Sequence, residues 1–243
     1  MQKLCVLLFL IVTLLSCSDN DDTVTQTLAT YASTNIVETG AVIACAASDE
    51  TTGEVLTFYY PEVGATNIRF YETDDVQVNH EDYSNYKQIF IQSEPFFNGH
   101  LGMFTQVSLQ EKWVIVTFEL DGELKISNPI RIKHLSKPSV WTDAVIINQS
   151  QSGMPAFSWE HNVAGDNAIY FQVVSDDQDN LLSGTYTIES TFQYYNTSNV
   201  VLNVTTQLPP PNLTSGNQYN FTLMDVSLDN WVNLVITKSF TAQ

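Results

Sequence analysis

The chain runs to 243 residues, with 9 basic against 27 acidic side chains and a formal net charge of −18. That sign repels phosphate backbones and anionic headgroups, which excludes nucleic acid and electrostatic membrane attachment. Charged residues make up only 15% while Asn, Gln, Ser and Thr abound, so the acidity reads as the solvated surface of an extracellular β-protein.

The chain opens on Lys3, a short positive region, and an apolar run from Leu4 to Leu15. That run is too short to span a bilayer, which takes roughly 20 residues, but it suits a secretory signal. It closes on Leu14-Leu15-Ser16-Cys17, followed at once by Ser18-Asp19-Asn20-Asp21-Asp22. The first of these stretches resembles the lipobox of bacterial lipoproteins. The serine-plus-acidic run resembles the surface-export signal of Bacteroidota lipoproteins. The resemblance implies a signal peptide over 1–16, cut before Cys17, and acylation of Cys17 by palmitate-type chains. A lipidated acidic tether over 17–27 then follows, too polar to bury surface. It further implies an outer-membrane protein held at the cell surface, with the periplasmic face as the alternative. Asp22-Thr23-Val24 is similar to the O-glycosylation acceptor of that phylum, which points to Thr23.

This start uses up two of the three cysteines, since Cys5 leaves with the signal and Cys17 takes lipid. Cys45 alone cannot form an internal disulfide, so the folded part must stand on core packing. Past the leader, short β-branched and aromatic runs alternate with Gly, Asn, Asp and Pro turns at spacings of about 8–12 residues, the pattern of all-β sandwiches. The pattern restarts after Lys137-Pro138, which divides the chain into units over 28–136 and 138–243.

In the first unit, strands are expected at Ala41 to Ala47, Val55 to Tyr60, Asn67 to Glu72 and Gln88 to Gln92. Trp113 to Leu120 is the clearest, with Val114, Val116, Phe118 and Leu120 on one face. Asp121-Gly122 turns the chain into Leu124 to Ser127. A two-residue turn would oppose Leu120 with Glu123, so the apolar pattern predicts a longer loop that pairs Leu120 with Leu124.

The second unit carries strands around Phe157-Ser158-Trp159, Ala168 to Ser175, Leu181 onward, Val200 to Val204, Tyr219 to Leu223 and Val232 to Ile236. Trp159 on the second strand, Tyr170 on the third, and Leu213-Thr214-Ser215-Gly216-Asn217-Gln218-Tyr219 together resemble a fibronectin type III domain. The resemblance implies that Leu213 and Tyr219 form a corner in which the tyrosine hydroxyl bonds backbone. Pro209-Pro210-Pro211 and a long excursion over 183–199 depart from that family. The first unit rests on strand pattern alone. The expected fold is therefore all-β, two tandem immunoglobulin/fibronectin type III-like sandwiches.

Candidate chemistry is sparse. His80-Glu81-Asp82 would point to alternate faces of a strand and reads as an exposed loop, not a metal site. Asp176-Asp177-Gln178-Asp179-Asn180 has the oxygens for calcium but lacks the spacing of a calcium loop, so it reads as a hairpin turn. Cys45 sits in a small apolar strand, where burial leaves a thiol inert. No nucleophile elbow occurs, and no catalytic residue, metal or cofactor is expected.

Aromatics are the remaining lead. Tyr59-Tyr60, Phe96-Phe97 and Tyr194-Tyr195 place rings side by side, and Trp231 follows a loop-like Leu228-Asp229-Asn230. One ring of each pair should face outward, which makes Tyr59, Phe96, Phe97, Tyr194 and Trp231 the candidate binding surface. The expected function is a non-enzymatic interaction or accessory module, anchored to the membrane by lipid and binding an outer-membrane protein or an extracellular glycan. The alternatives are a carbohydrate-binding accessory of a TonB-linked glycan uptake system, or a glycan hydrolase.

Overall fold

A computed structural model describes residues 26–243; the signal segment, Cys17 and Thr23 lie outside the described residues. The first half contains α1 (Leu28–Ala32) and ten strands. These are β1 (Ile36–Val42), β2 (Ala44–Ser48), β3 (Val55–Tyr59), β4 (Thr66–Glu72), β5 (Lys87–Ile89), β6 (Ser93–Phe96), β7 (Leu101–Gln106), β8 (Trp113–Leu120), β9 (Glu123–Ser127) and β10 (Ile130–Arg131). They form two sheets. Sheet I has the order β1-β9-β8-β4-β5, with β10 also on β8, and sheet II the order β2-β3-β7-β6. The strand expected over Ala41 to Ala47 breaks at Ile43, so the chain leaves a parallel pairing with β9 and joins β3 in the opposite sheet.

The second half contains β11 (Val140–Thr142), β12 (Ile146–Asn148), β13 (Ala156–Ser158), β14 (Asn167–Asp176), β15 (Leu181–Thr187), β16 (Thr191–Gln193), β17 (Val200–Asn203), β18 (Gln218–Ser227) and β19 (Val232–Thr241). Sheet III runs β11-β19-β18-β14-β15-β17 and sheet IV runs β12-β13-β16. Here too a first strand, β11, lies parallel to the last, β19, before the chain crosses to the other sheet. The chain is all-β, built as immunoglobulin/fibronectin type III-like sandwiches.

The fibronectin-type features fall where their chemistry needs them. Leu213 is buried, and the Tyr219 hydroxyl accepts the backbone N–H of Thr214 at 2.9 Å. Trp159 follows directly on β13 and meets Tyr170 edge-to-face at 5.2 Å.

One register differs from the expectation. Leu120 pairs with Glu123 and Glu119 with Leu124, across a two-residue turn in which Asp121 and Gly122 both have positive φ (53° and 81°). Such a turn matches the twist of the strands it joins. The alternation argument failed because β8 is covered on both faces. Val114, Val116 and Phe118 face sheet II, while Ile115 faces outward into a second core with Leu28, Tyr31, Tyr71, Tyr86, Leu124 and Ile126. Helix α1 lids that outer core, started by Thr27, whose Oγ1 accepts from Thr30 N. Leu124 therefore belongs opposite Glu119, on the helix side.

Candidate functional site

The two sandwiches are joined through their inner sheets. Strand alternation sends Ala46 and Tyr59 toward sheet I, but Ala47 and Phe58 toward sheet III. There they share one core with Phe171 and Val173 of β14, Met224 and Val226 of β18, and Val232 and Val235 of β19. Sheets I to IV thus stack as four layers.

The seam is locked at one end by the β18–β19 turn. Trp231, fully buried, enters the core of the first sandwich beside Val42 and Ala46. Its indole Nε1 donates to the Lys137 carbonyl at 2.8 Å, and Ala46 N donates to the Asn230 carbonyl at 3.1 Å. Lys133 pairs with Asp229 at 2.7 Å, and both side chains are largely shielded from water. Nearby, Ser48 and Ser139 exchange hydrogen bonds between backbone N–H and hydroxyl, and Trp141 Nε1 donates to the Ser48 carbonyl.

At the other end, the loop after β6 docks. Phe97 is buried with φ 46°, and Asn98 Nδ2 donates to Gln178 O and Asn180 Oδ1 of the β14–β15 turn. Asp176 organises that turn by accepting from Gln178 N, Asn180 N and the Asn180 amide, which hold its carboxyl below the usual range despite partial burial. His100 spans the seam as well: its Nε2 lies 2.8 Å from the Val204 carbonyl, and burial lowers its pKa.

These contacts correct the aromatic surface expected from the sequence. Tyr59, Phe97, Tyr194 and Trp231 are buried and Phe96 is half-buried. Tyr59 stacks on Phe104 and bonds Ser93, while Tyr194 donates to the Pro211 carbonyl inside the second sandwich. Phe96 packs on Phe58 at 4.9 Å in the seam. Of the three pairs only Tyr59 and Tyr60 split between the two faces of sheet II, and both of those faces have a partner. Phe96 and Phe97 lie together in the seam with ring centroids 4.4 Å apart, and Tyr194 and Tyr195 lie together in the second sandwich at 4.9 Å. The five residues do not converge on one surface.

What the seam leaves open is a cavity of about 310 Å³ between sheets II and III. Ile43, Cys45, Phe58 and Tyr60 line it from one side, and Ile169, Phe171, Tyr186 and Met224 from the other. No charged side chain lines it; its polar groups are the Cys45 thiol, tyrosine hydroxyls and the amides of Asn128 and Asn230. Burial pushes the Cys45 thiol up to about 12 and Tyr186 well above its usual value, so both are neutral at physiological pH. The buried carboxylate of Asp225, raised by desolvation and bonded by Asn167, lies between Met224 and Val226 in β18 and therefore faces the opposite side of sheet III. A volume near 300 Å³ with apolar walls and a few amides is the lower size of a small-molecule pocket. Sequence reasoning missed it because its lining comes from strands on both sides of the Lys137-Pro138 break. The one local trace is that strand residues are apolar on both faces, as in Ala44 to Ala47.

No family model matches the chain, and no curated protein matches it. Among solved structures, the chicken interferon gamma receptor alpha chain is similar at 10% identity, with 82% of this chain and 96% of that chain covered and a TM-score of 0.22. A score that low carries no argument, and the fold assignment rests on the sheets themselves.

Proposed function

We propose that the protein is a non-enzymatic binding module, displayed on the outer membrane by a lipidated Cys17, whose ligand site is the cavity between its two sandwiches. The observation that carries this reading is the neutral, apolar lining of that cavity. General acid–base or nucleophilic chemistry needs groups that change protonation near the working pH. The Cys45 thiol and the Tyr186 phenol are pushed away from it, which leaves binding as what the site is suited to. Sugars need many directed polar partners, so this lining favours an apolar ligand over a glycan. The display part of the reading is supported by the Lys3-to-Cys17 leader and the acidic stretch after it. Among the described residues no helix is long and apolar enough to cross a membrane.

Two measurements test it. Palmitate labelling of cells should mark the wild type and be lost in Cys17→Ala; an unlabelled wild type removes the anchor. A neutral naphthylamine dye should brighten on binding the protein. Cys45→Phe, which fills the cavity, should abolish that signal while circular dichroism is unchanged. Met224→Ala, which enlarges the cavity, should keep it. A dye signal indifferent to both changes removes the cavity as the site.

A further inference from the structure

The cavity has a direction. On sheet III its lining comes from four adjacent strands in spatial order: Met224 on β18, Phe171 on β14, Tyr186 on β15 and Leu202 on β17. Three strand steps span about 14 Å at ordinary sheet spacing. A ligand that touches all four strands is therefore extended over about that length.

The two ends differ. One opens beside Gly40 at Asn128, an exposed residue whose amide offers both a donor and an acceptor. The other ends at Leu202 on the edge strand. Leu202, 42% exposed, also lines a surface groove with Tyr195, Leu208 and Pro209. Val201 and Leu208 stand 55% and 64% exposed there. The groove, like the cavity, has no charged side chain in its lining. Leu202 is therefore shared by the apolar cavity and an uncharged surface groove, on a chain whose net charge is −18.

Taking the cavity as the binding site proposed above, we infer that its ligand is a neutral molecule with a long hydrocarbon chain. The head group sits at the Asn128 mouth, the chain crosses β18, β14, β15 and β17, and the tail passes Leu202 into the groove beside Leu208. Neutrality follows from the lining, because a charge brought into this seam would find no partner and lose its water. An extended chain follows from the four-strand span. Length follows from the continuity at Leu202.

The test is a chain-length series, 1-hexanol through 1-tetradecanol, displacing the naphthylamine dye from the full chain carrying Cys17→Ala, so that its own acyl groups cannot compete. Affinity should rise by about fourfold for each methylene that leaves water, up to the longest members. Leu202→Trp should narrow the exit and cut affinity for 1-tetradecanol at least tenfold more than affinity for 1-hexanol. Leu208→Asp, in an exposed loop where folding is not at stake, should weaken only the long members. Myristate should bind at least tenfold more weakly than 1-tetradecanol. Affinity that levels off at mid-length and ignores both substitutions would overturn the tunnel-and-groove path, with the cavity still standing as a binding site. Equal binding of myristate and the alcohol would overturn the neutral head group. Failure of the dye itself to bind removes the underlying reading rather than the path.

Discussion

The indole Nε1 of Trp231 donates to the backbone carbonyl of Lys137 at 2.8 Å, across 94 residues of chain. The ring belongs by sequence to the second sandwich and by packing to the core of the first. A hairpin tip that fills its neighbour's core makes the orientation of the two sandwiches part of the fold, and the cavity between sheets II and III owes its shape to that lock.

Trp231→Ala should cost about 3–5 kcal/mol, the usual loss for emptying a large aromatic site in a core. Urea unfolding should be one transition in the wild type and should split in the variant as the sandwiches come apart. Trp231→Phe keeps a ring but orphans the Lys137 carbonyl, and should lose about 1–3 kcal/mol with a single transition retained. A wild-type stability in Trp231→Ala would contradict the lock.

Gly102 lies directly under the Tyr59 ring, and a Cβ there would overlap that ring. Gly102→Ala should therefore destabilise by about 1–3 kcal/mol, the range for overpacking a filled site. In a Tyr59→Ala background the same change should cost almost nothing, because contacting residues couple. Additive losses in denaturant melts would show that the contact is not the cause.

The Cys45 thiol, pushed up to about 12 by burial, is almost wholly protonated at neutral pH. At pH 8 its thiolate fraction should be about a thousandfold below that of an ordinary cysteine. Alkylation by iodoacetamide should be correspondingly slow in the folded protein and should reach the rate of free cysteine in urea. Fast alkylation of the native chain at pH 8 contradicts the burial.

His100 makes the seam sensitive to acid. Its pKa in the fold lies below the unfolded value of about 6.5, so around pH 6 the unfolded chain binds more protons. The stability this contributes is full above pH about 6.5 and is lost as pH falls through that value toward the folded pKa. Thermal melts from pH 7.5 to 5 should show a decline that His100→Gln reduces. An unchanged profile in the variant would assign the decline to other groups.

The strands were legible in the sequence because alternation is a local property. Val114 to Leu120 and Tyr219 to Leu223 announce themselves within a few residues, as does the corner formed by Leu213 and Tyr219. The candidate site was not. Alternation puts adjacent rings on opposite faces only while the chain stays extended, and Phe97, at φ 46° just past β6, turns its ring beside Phe96 in the same seam.

By itself the sequence determined the all-β class and, with Cys45 the one cysteine of the described residues, the lack of a disulfide within them; the leader and its lipid anchor are proposals it carries. Hydrophobic period, segment length and cysteine count are carried by neighbouring residues. Only the tertiary structure decided what covers each face. Helix α1 covers the outside of sheet I and moves Leu124 opposite Glu119; sheet III covers sheet II and buries Phe97; the β18–β19 turn delivers Trp231 to another core. A period of two tells which residues share a face, and only the packing of distant segments tells whether that face meets water, another sheet, or an apolar cavity.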